Sequence, residues 1–121
     1  MAKKVLIIED YPATANMITE ILAAEGVESV IAPEGASGIE KAETEKPALI
    51  LLDIMLPGMS GLEVCSQLKS NPATRAIPVV MVSVKTTAED VKAGMAAGAD
   101  DYIAKPFDPA KLVAVVKKHL K

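Results

Sequence analysis

The chain has 121 residues, of which 50% are hydrophobic and 24% are charged, and its net charge is −3. This length and composition fit one globular domain and leave no room for a second. Aromatic residues are scarce, with two tyrosines and one phenylalanine. The acidic balance and this scarcity exclude a basic stripe with interleaved aromatics, so we expect no direct binding to nucleic acid.

No apolar stretch approaches the ~20 residues that a membrane span needs. The basic start of the chain leads into an apolar run that stops at Glu9-Asp10, which is too short for a signal peptide. We therefore expect a cytoplasmic protein that does not bind membranes. The single Cys65 excludes an internal disulfide, and its place within a helical pattern predicts a small buried hydrophobic residue.

Short apolar runs alternate with helical patterns five times along the chain. The predicted strands are 5–8, 27–32, 48–52, 79–82 and 101–104. The predicted helices run from Pro12 to the stop at Gly26, over 35–44, from Leu62 to the turn at 70–72, over 88–97 and over 109–120. Strict alternation of this kind predicts a doubly wound α/β sandwich, in which a parallel five-stranded sheet lies between two layers of helices.

Two of the predicted helices carry further expectations. The fourth helix is rich in alanine and glycine and has few large apolar side chains, so we expect it to be loosely held. The last helix begins with Asp108 as its cap and Pro109 in its first turn. Its predicted buried stripe consists of Leu112, Val113, Val116 and Leu120.

Asp53 follows directly after a continuous apolar strand, in the stretch ALILLDIMLPGMSG of residues 48–61. An uninterrupted apolar run indicates a central strand that is covered on both faces. Pro57-Gly58 and Ser60-Gly61 indicate a loop. Asp53 is therefore expected at the carboxyl edge of the sheet, where open α/β sheets bind ligands. Taken alone, an acidic residue at a strand end is also compatible with a turn cap.

Four of the five predicted strands are followed by polar side chains, namely Glu9 and Asp10, Asp53, Ser83 and Lys105. Because the ends of parallel strands share an edge, three carboxylates, a hydroxyl and an ammonium converge there. Carboxylates this close repel one another, so keeping them ionised calls for a cation. Oxygen ligands suit Mg²⁺, whereas zinc prefers histidine or cysteine. The one histidine, His119, lies at the far end of the last helix, where its charge suits the helix dipole.

A magnesium site beside a lysine and a hydroxyl is suited to a phosphoryl group. The metal and Lys105 would neutralise its oxygens, Ser83 would donate a hydrogen bond, and Asp53 is the candidate nucleophile that attacks phosphorus. Each feature alone has an ordinary explanation, with Glu9-Asp10 as a solvated turn, Ser83 as a helix cap and Lys105 as a surface charge. Their occurrence together favours the functional interpretation.

This set of residues resembles the receiver domain of bacterial two-component response regulators, and the resemblance covers the whole chain, residues 1–121. It is carried by Glu9-Asp10, Asp53 with the loop 56–61, Ser83 and Lys105-Pro106. The resemblance implies a flavodoxin-like three-layer sandwich with strand order 2-1-3-4-5. It also implies a phosphorelay signalling domain of the single-domain chemotaxis or cell-cycle type. Such a domain is not a conventional enzyme, but it assists its own phosphotransfer and its slow autodephosphorylation.

The resemblance assigns a role to each residue that matches the family pattern. It makes Asp53 the acceptor of a phosphoryl group from a histidine kinase or a phosphotransfer protein. It implies that Asp10, Asp53 and the backbone carbonyl of Met55 bind Mg²⁺, while Glu9 acts through a bound water. Lys105 would pair with the phosphoryl group.

The resemblance also implies how phosphorylation is read out. A cis peptide bond before Pro106 would aim Lys105. Ser83 would move toward the phosphoryl oxygens, and Tyr102 would turn from the surface into the space that Ser83 vacates. The face built from the fourth helix, the fifth strand and the fifth helix would then change shape and control the binding of a downstream protein, as a shift between two accessible packings. Both a monomer and a phosphorylation-dependent dimer are compatible with this scheme.

Three positions beside the site depart from the commonest family pattern. Val84 is branched where a very small residue is usual, which predicts slower phosphotransfer and a longer-lived acyl phosphate. Met55 and Lys85 replace polar or acidic residues that are often seen there. Lys85 either attracts anionic donors or is simply a solvated lysine.

Three other interpretations stay open at this point. We expect a single-domain regulator without an output domain, but a receiver domain excised from a longer hybrid kinase or transcription factor has the same pattern. An aspartyl phosphohydrolase of the haloacid dehalogenase type would need a second acid where Met55 stands. A flavodoxin-like electron carrier would need a hydroxyl-rich loop after the first strand, where Glu9-Asp10 would repel a flavin phosphate.

Overall fold

The computed structural model describes residues 3–120. Within this range the five strands are β1 (Lys4–Ile8), β2 (Glu28–Ala32), β3 (Leu49–Leu52), β4 (Val79–Ser83) and β5 (Asp101–Ala104). The five helices of the same range are α1 (Pro12–Ala24), α2 (Gly35–Glu45), α3 (Gly61–Ser70), α4 (Ala88–Ala96) and α5 (Pro109–His119). None of these helices of the described chain has the length and apolar character that a membrane crossing requires.

The strands form a parallel sheet in the order β2-β1-β3-β4-β5, which confirms the predicted doubly wound topology. The middle strands β1, β3 and β4 are almost entirely buried, because an apolar run without polar side chains needs helices on both faces. In the register of the sheet, Ile8 lies beside Leu52, and Leu52 lies beside Met81. The residues that follow these strands are therefore brought to one edge.

Side chains of the strands alternate between two hydrophobic layers. The layer under α2 and α3 contains Leu6, Ile8, Ala42, Ile50, Leu52, Val64, Cys65, Leu68 and Met81. The layer under α1 and α5 contains Val5, Ile7, Ile18, Leu22, Leu49, Leu51, Val80, Val82, Ile103, Leu112 and Val116. Removing this apolar surface from water is the main favourable term for folding, and it fixes the sheet on which the strand-end residues are mounted.

The predicted cap of α5 is present, and α4 also begins with a capped first turn. At α4, Thr87 Oγ1 accepts the backbone N–H of Asp90 at 3.1 Å, and the Asp90 carboxylate accepts the backbone N–H of Thr87 at 3.2 Å. At α5, Asp108 Oδ1 accepts the backbone N–H of Ala110 at 2.9 Å. These bonds satisfy backbone donors that the first turn of a helix leaves without partners, so they fix where each helix begins.

The predicted buried stripe of the last helix is wrong at one position. Leu112 and Val116 are buried and Leu120 packs against their layer, but Val113 is only half-buried and lines a surface cavity beside α1. Val115 takes its place against the core. The rotation of α5 about its own axis decides this, because adjacent residues point about 100° apart around a helix.

Strand β2 begins one residue later than predicted. The backbone N–H of Val27 donates to the carbonyl of Leu22 at 2.9 Å, so this residue closes the turn after α1 instead of joining the sheet. Gly26 within the turn has a φ of 74°, a left-handed conformation that glycine adopts without steric cost.

Cys65 and His119 have structural positions. Cys65 is fully buried, as predicted, and burial raises the pKa of its thiol to about 11. His119 ends α5, and its Nε2 lies 3.2 Å from Oδ2 of Asp101 in β5. This contact ties the end of the last helix to the edge strand.

Candidate functional site

Three carboxylates meet at the carboxyl edge of the sheet. Glu9 and Asp10 follow β1, Asp53 follows β3, and one oxygen of each lies within 4.8 Å of the others. Glu9 is 3% exposed and Asp53 is 7% exposed, whereas Asp10 is open to solvent. The cluster therefore concentrates negative charge in a place where desolvation makes unpaired charge costly.

Lys105, which follows β5, places a positive charge within this cluster. Its Nζ lies 2.5 Å from Glu9 Oε1 and 3.0 Å from Asp53 Oδ2. Burial lowers the pKa of Lys105, but its hydrogen bonds to the two carboxylates outweigh burial and hold the pKa above its ordinary value. Burial raises the pKa of Glu9, the hydrogen bond from Lys105 lowers it, and the charge of Asp53 raises it, so that the pKa lies above its ordinary value. One ammonium does not balance three carboxylates, so the site keeps a negative excess.

The backbone around Asp53 is held tightly. Its N–H donates to the carbonyl of Ile8 at 3.1 Å, and its Oδ1 accepts the backbone N–H of Met55 at 3.1 Å. On the other side, the N–H of Gly61 donates to the carbonyl of Ile54 at 2.8 Å. A Cβ atom on Gly61 would lie 2.1 Å from the carbonyl oxygen of Asp53. Only glycine allows α3 to approach the end of β3 this closely.

The donor atoms of the cluster fit a hard divalent cation. Three carboxylate oxygens within 4.8 Å of one another are the kind of ligand that Mg²⁺ takes, and it commonly keeps several waters as well. The exposure of Asp10 leaves a route for those waters. The negative excess that remains after Lys105 is counted is a second reason for a cation here.

Ser83 ends the neighbouring strand β4 and is fully buried. Its Oγ accepts the backbone N–H of Lys85 at 3.2 Å, which closes a short turn after the strand. Val84, between them, is 58% exposed. The structure thus places the hydroxyl inside the sheet edge and the branched side chain of Val84 outside it.

Two cavities border the acidic cluster. One of about 560 Å³ lies between the loop after β3 and α4, and Asp10, Met55 and Lys85 are part of its lining. The other, of about 420 Å³, is bordered by Val84 and by Lys105. The peptide bond between Lys105 and Pro106 is cis.

Tyr102 is half-buried in this structure. The family resemblance implied that it lies at the surface before it turns inward. Its ring lies over Gly94 of α4, where a Cβ atom would be 3.1 Å from the ring carbon Cε2. Its hydroxyl donates to the backbone carbonyl of Lys85. Burial raises the pKa of Tyr102, and the nearby carboxylate of Asp90 adds to the shift. The ring packs inward because a glycine on α4 leaves room for it.

Sequence reasoning missed two residues beside the Asp53 loop, Gly61 and Ser60, and one that packs against Tyr102, Gly94. Gly61 and Gly94 both lie in helices, where glycine is unfavourable, and that misfit is the signal that could have found them. Ser60 was assigned to a loop, but its Oγ accepts the backbone N–H of Glu63 at 3.3 Å and caps α3. The spacing of a serine and a glutamate three residues apart is typical of such a cap.

Comparisons with known proteins bear on the same residues. The sequence model of the family described as "Response regulator receiver domain" matches residues 5–117. The DNA-binding response regulator MtrA of Mycolicibacterium smegmatis is 40% identical over 121 residues, which are 100% of this chain and 52% of that protein. The phosphate regulon transcriptional regulatory protein PhoB of Escherichia coli is 42% identical over 117 residues, 97% of this chain and 51% of that protein. The chain therefore spans about half the length of these curated relatives.

A solved structure agrees with the sequence relatives. The CheY-like response regulator receiver domain protein from Methanospirillum hungatei superimposes with a TM-score of 0.92 at 33% identity, over 99% of this chain and 94% of that one. The sequence match, the shared strand order and the strand-end cluster all indicate the same class, which sets aside the phosphohydrolase and the flavin carrier. The chain belongs to the response regulator receiver domains of two-component signalling systems.

Proposed function

We propose that this domain accepts a phosphoryl group on Asp53 from a histidine kinase or a phosphotransfer protein, and that Mg²⁺ is required. The observation that supports this most directly is the double contact of Lys105 with Glu9 and Asp53 inside a cluster of three carboxylates. An ammonium held beside a buried carboxylate at a sheet edge is arranged to meet the charged oxygens of a phosphoryl group.

Asp10 and Asp53 would hold the metal ion together with the backbone carbonyl of Met55, and Glu9 would contact it through water. When bound, Mg²⁺ supplies positive charge to the oxygens of the transferred group. Glu9 has a second task, because its contact with Lys105 at 2.5 Å keeps the ammonium next to Asp53.

In the transfer, an oxygen of the Asp53 carboxylate attacks phosphorus and a P–O bond forms. The P–N bond to the donor imidazole breaks, its electron pair stays on the nitrogen, and that nitrogen takes up a proton from solvent. Lys105 lies 3.0 Å from Asp53 and would neutralise one oxygen of the transferred group. Ser83, at the end of β4, would donate its hydroxyl proton to another.

We further propose that the surface formed by α4, β5 and α5 reads out the modification. Ser83 accepts the N–H of Lys85, and Tyr102 donates to the carbonyl of the same residue. A shift of Ser83 toward the phosphoryl oxygens therefore disturbs the loop that anchors the tyrosine. Tyr102→Ala is expected to abolish the phosphorylation dependence of binding to a downstream protein or to a second copy. Unchanged dependence would contradict this role.

The side chains of Val84 and Lys85 would control access to the acyl phosphate. Val84 is exposed at the mouth of the site, where its branched side chain would shield the phosphoryl group from water. Val84→Ala is expected to accelerate the loss of the phosphoryl group, measured by intact mass over time. An unchanged rate would count against shielding by this side chain.

The partners that we propose for this chain are proteins. MtrA is described as DNA-binding, but it is about twice as long as this chain, so that activity is not assigned to the receiver domain. The net charge of −3 also disfavours direct contact with a polyanion. We therefore propose no direct binding of nucleic acid by these residues.

Intact mass after incubation with acetyl phosphate, with and without Mg²⁺, tests the acceptor chemistry. The parent chain is expected to gain a single phosphoryl group only when Mg²⁺ is present, and Asp53→Asn is expected to gain none. Asp10→Asn serves as a control that needs more Mg²⁺ for the same yield. An adduct that persists in Asp53→Asn would place the acceptor elsewhere. Failure of the parent chain with both acetyl phosphate and phosphoimidazole would overturn the proposal.

A further inference from the structure

Helix α4 contains a glycine near its carboxyl-terminal end. Gly94 is the buried residue of this helix, although glycine weakens a helix interior relative to alanine. Gly26, Gly58 and Gly98 have positive φ angles, and Gly94 does not. Any residue could therefore adopt the backbone conformation of Gly94, so only the space around it favours glycine.

The space over Gly94 is taken by the ring of Tyr102. A Cβ atom on Gly94 would lie 3.1 Å from Cε2 and 3.4 Å from Cδ2 of the ring, and 3.6 Å from Cγ of Met81. Met81 and Tyr102 are neighbours in the register of β4 and β5. The Tyr102 hydroxyl donates to the carbonyl of Lys85 in the loop that leads into α4. The ring therefore touches both the helix and the loop before it.

Little else attaches α4 to the sheet. Lys92 and Met95 are exposed, and the remaining residues of the helix are exposed or half-buried. Helix α3 is different, because it buries Gly61, Val64, Cys65 and Leu68. The contact between Gly94 and Tyr102 is therefore central to how α4 sits on the sheet.

The geometry points to Gly94 as the positioning residue for Tyr102, because its missing side chain admits the ring and sets the matching position of α4. Carbon atoms in contact are about 3.5–4.0 Å apart, so a methyl group 3.1 Å from the ring displaces either the ring or the helix. The hydrogen bond to the carbonyl of Lys85 restrains the ring, and Met81 lies beside Tyr102 in the sheet register. Either displacement changes the balance between the two packings of this corner.

Tyr102 can be observed by itself. The chain has two tyrosines and no tryptophan, and the other tyrosine, Tyr11, is 63% exposed. In a Tyr11→Phe chain, incorporation of 3-fluorotyrosine leaves a single fluorine label, on Tyr102. The ¹⁹F NMR spectrum is recorded for this chain, for Gly94→Ala in it and for the control Ala96→Gly in it. Each sample is measured before and after treatment with acetyl phosphate and Mg²⁺, with its intact mass.

We expect Gly94→Ala to move the Tyr102 resonance by more than its line width before phosphorylation, while the yield of adduct is unchanged. Ala96→Gly alters helix propensity at an exposed position of the same helix and is expected to leave the resonance in place. An unmoved resonance in Gly94→Ala overturns the inference. The effect of Gly94 on signalling rests on the proposed function, whose own failure would be seen separately as the absence of an adduct in every sample.

A cycle of melting temperatures gives an independent measurement if Gly94→Ala folds poorly. Alanine is the better helix former, so Gly94→Ala is expected to raise the melting temperature in a Tyr102→Ala chain. Beside the intact ring, the same substitution is expected to raise the temperature less or to lower it. Equal changes in the two backgrounds would show that the methyl group and the ring do not meet, which would overturn the inference.

Discussion

Two corners of the molecule lead away from the central strands, and they are packed differently. The acceptor corner, residues 53–70, runs from the end of β3 into α3, which buries Gly61 and three larger side chains. The α4 corner, residues 83–104, runs from the end of β4 through α4 to the end of β5, and its helix buries Gly94 alone. Buried contacts raise the free energy needed to open a segment locally. The α4 corner is therefore the part that can repack at low cost.

A glycine lies at the tight point of each corner, but the neighbours differ. A Cβ atom on Gly61 would meet the backbone oxygen of Asp53 at 2.1 Å, whereas one on Gly94 would meet the side chain of Tyr102 at 3.1 Å. Backbone in a buried sheet cannot yield without moving the acceptor, while a tyrosine ring can rotate. The comparison teaches that Asp53, the proposed phosphoacceptor, lies on a tightly packed support, whereas the proposed switch surface around α4 lies on a loosely packed one.

The largest effect is expected from Gly61→Ala. The added methyl group must push α3 away from Asp53, so the free energy of unfolding should fall by about 3 kcal/mol, near the upper end of overpacking costs. The phosphoryl adduct should be lost as well. Urea unfolding and intact mass measure the two effects.

Gly94→Ala is the matched substitution in the other corner and should change the free energy of unfolding by less than about 1 kcal/mol, because the gain in helix propensity offsets the crowding. Equal losses would remove the difference between the corners.

A smaller effect is expected from Lys105→Met, which removes the cation that contacts Glu9 and Asp53. Without metal at alkaline pH, the free energy of unfolding should fall by about 2 kcal/mol, less than the full cost of breaking a buried ion pair. Because the pKa of Glu9 is raised in the folded state, its protonation favours the folded chain as the pH falls through that pKa. A protonated Glu9 has no charge for Lys105 to neutralise. The loss of unfolding free energy in Lys105→Met should therefore shrink toward acid pH.

Lys117→Met is the control for this substitution. Lys117 pairs with Glu25 at 2.8 Å, but its side chain is 59% exposed, so its removal should cost less than about 0.5 kcal/mol at any pH. Melting temperatures across the pH range distinguish the two lysines. A loss in Lys105→Met that does not vary with pH would contradict the raised pKa of Glu9 in the folded chain.

The smallest global effect is expected from Thr87→Ala, which removes the cap of α4. Loss of a cap costs about 1 kcal/mol. If the α4 corner opens separately from the rest of the domain, this cost lowers the free energy of local opening and leaves that of global unfolding almost unchanged. The amides of α4 should exchange about fivefold faster, with little change in the urea midpoint. Ser60→Ala removes the cap of α3 and should lower the urea midpoint instead. The same response from both caps would show that the two helices unfold together.

Much of this architecture follows from the sequence. Apolar runs and turn residues predicted the alternation of strands and helices, whereas the strand order came from the family resemblance. The shared edge of parallel strands predicted that Glu9, Asp53 and Lys105 would meet. The roles of Gly61 and Gly94 were not predicted, because they depend on how closely one element approaches another. The same limit explains Val113, whose exposure depends on the rotation of α5 against its neighbours.

The most direct test is hydrogen exchange resolved by peptide, measured before and after phosphorylation by acetyl phosphate with Mg²⁺. It shows whether phosphorylation of Asp53 changes the packing of the α4 corner while α3 stays unchanged. The predicted result is a change in exchange within residues 84–104, unchanged exchange in residues 61–70, and no change anywhere in Asp53→Asn. An equal change in α3, or an α4 corner that does not respond to a verified adduct on Asp53, would contradict this division between support and response.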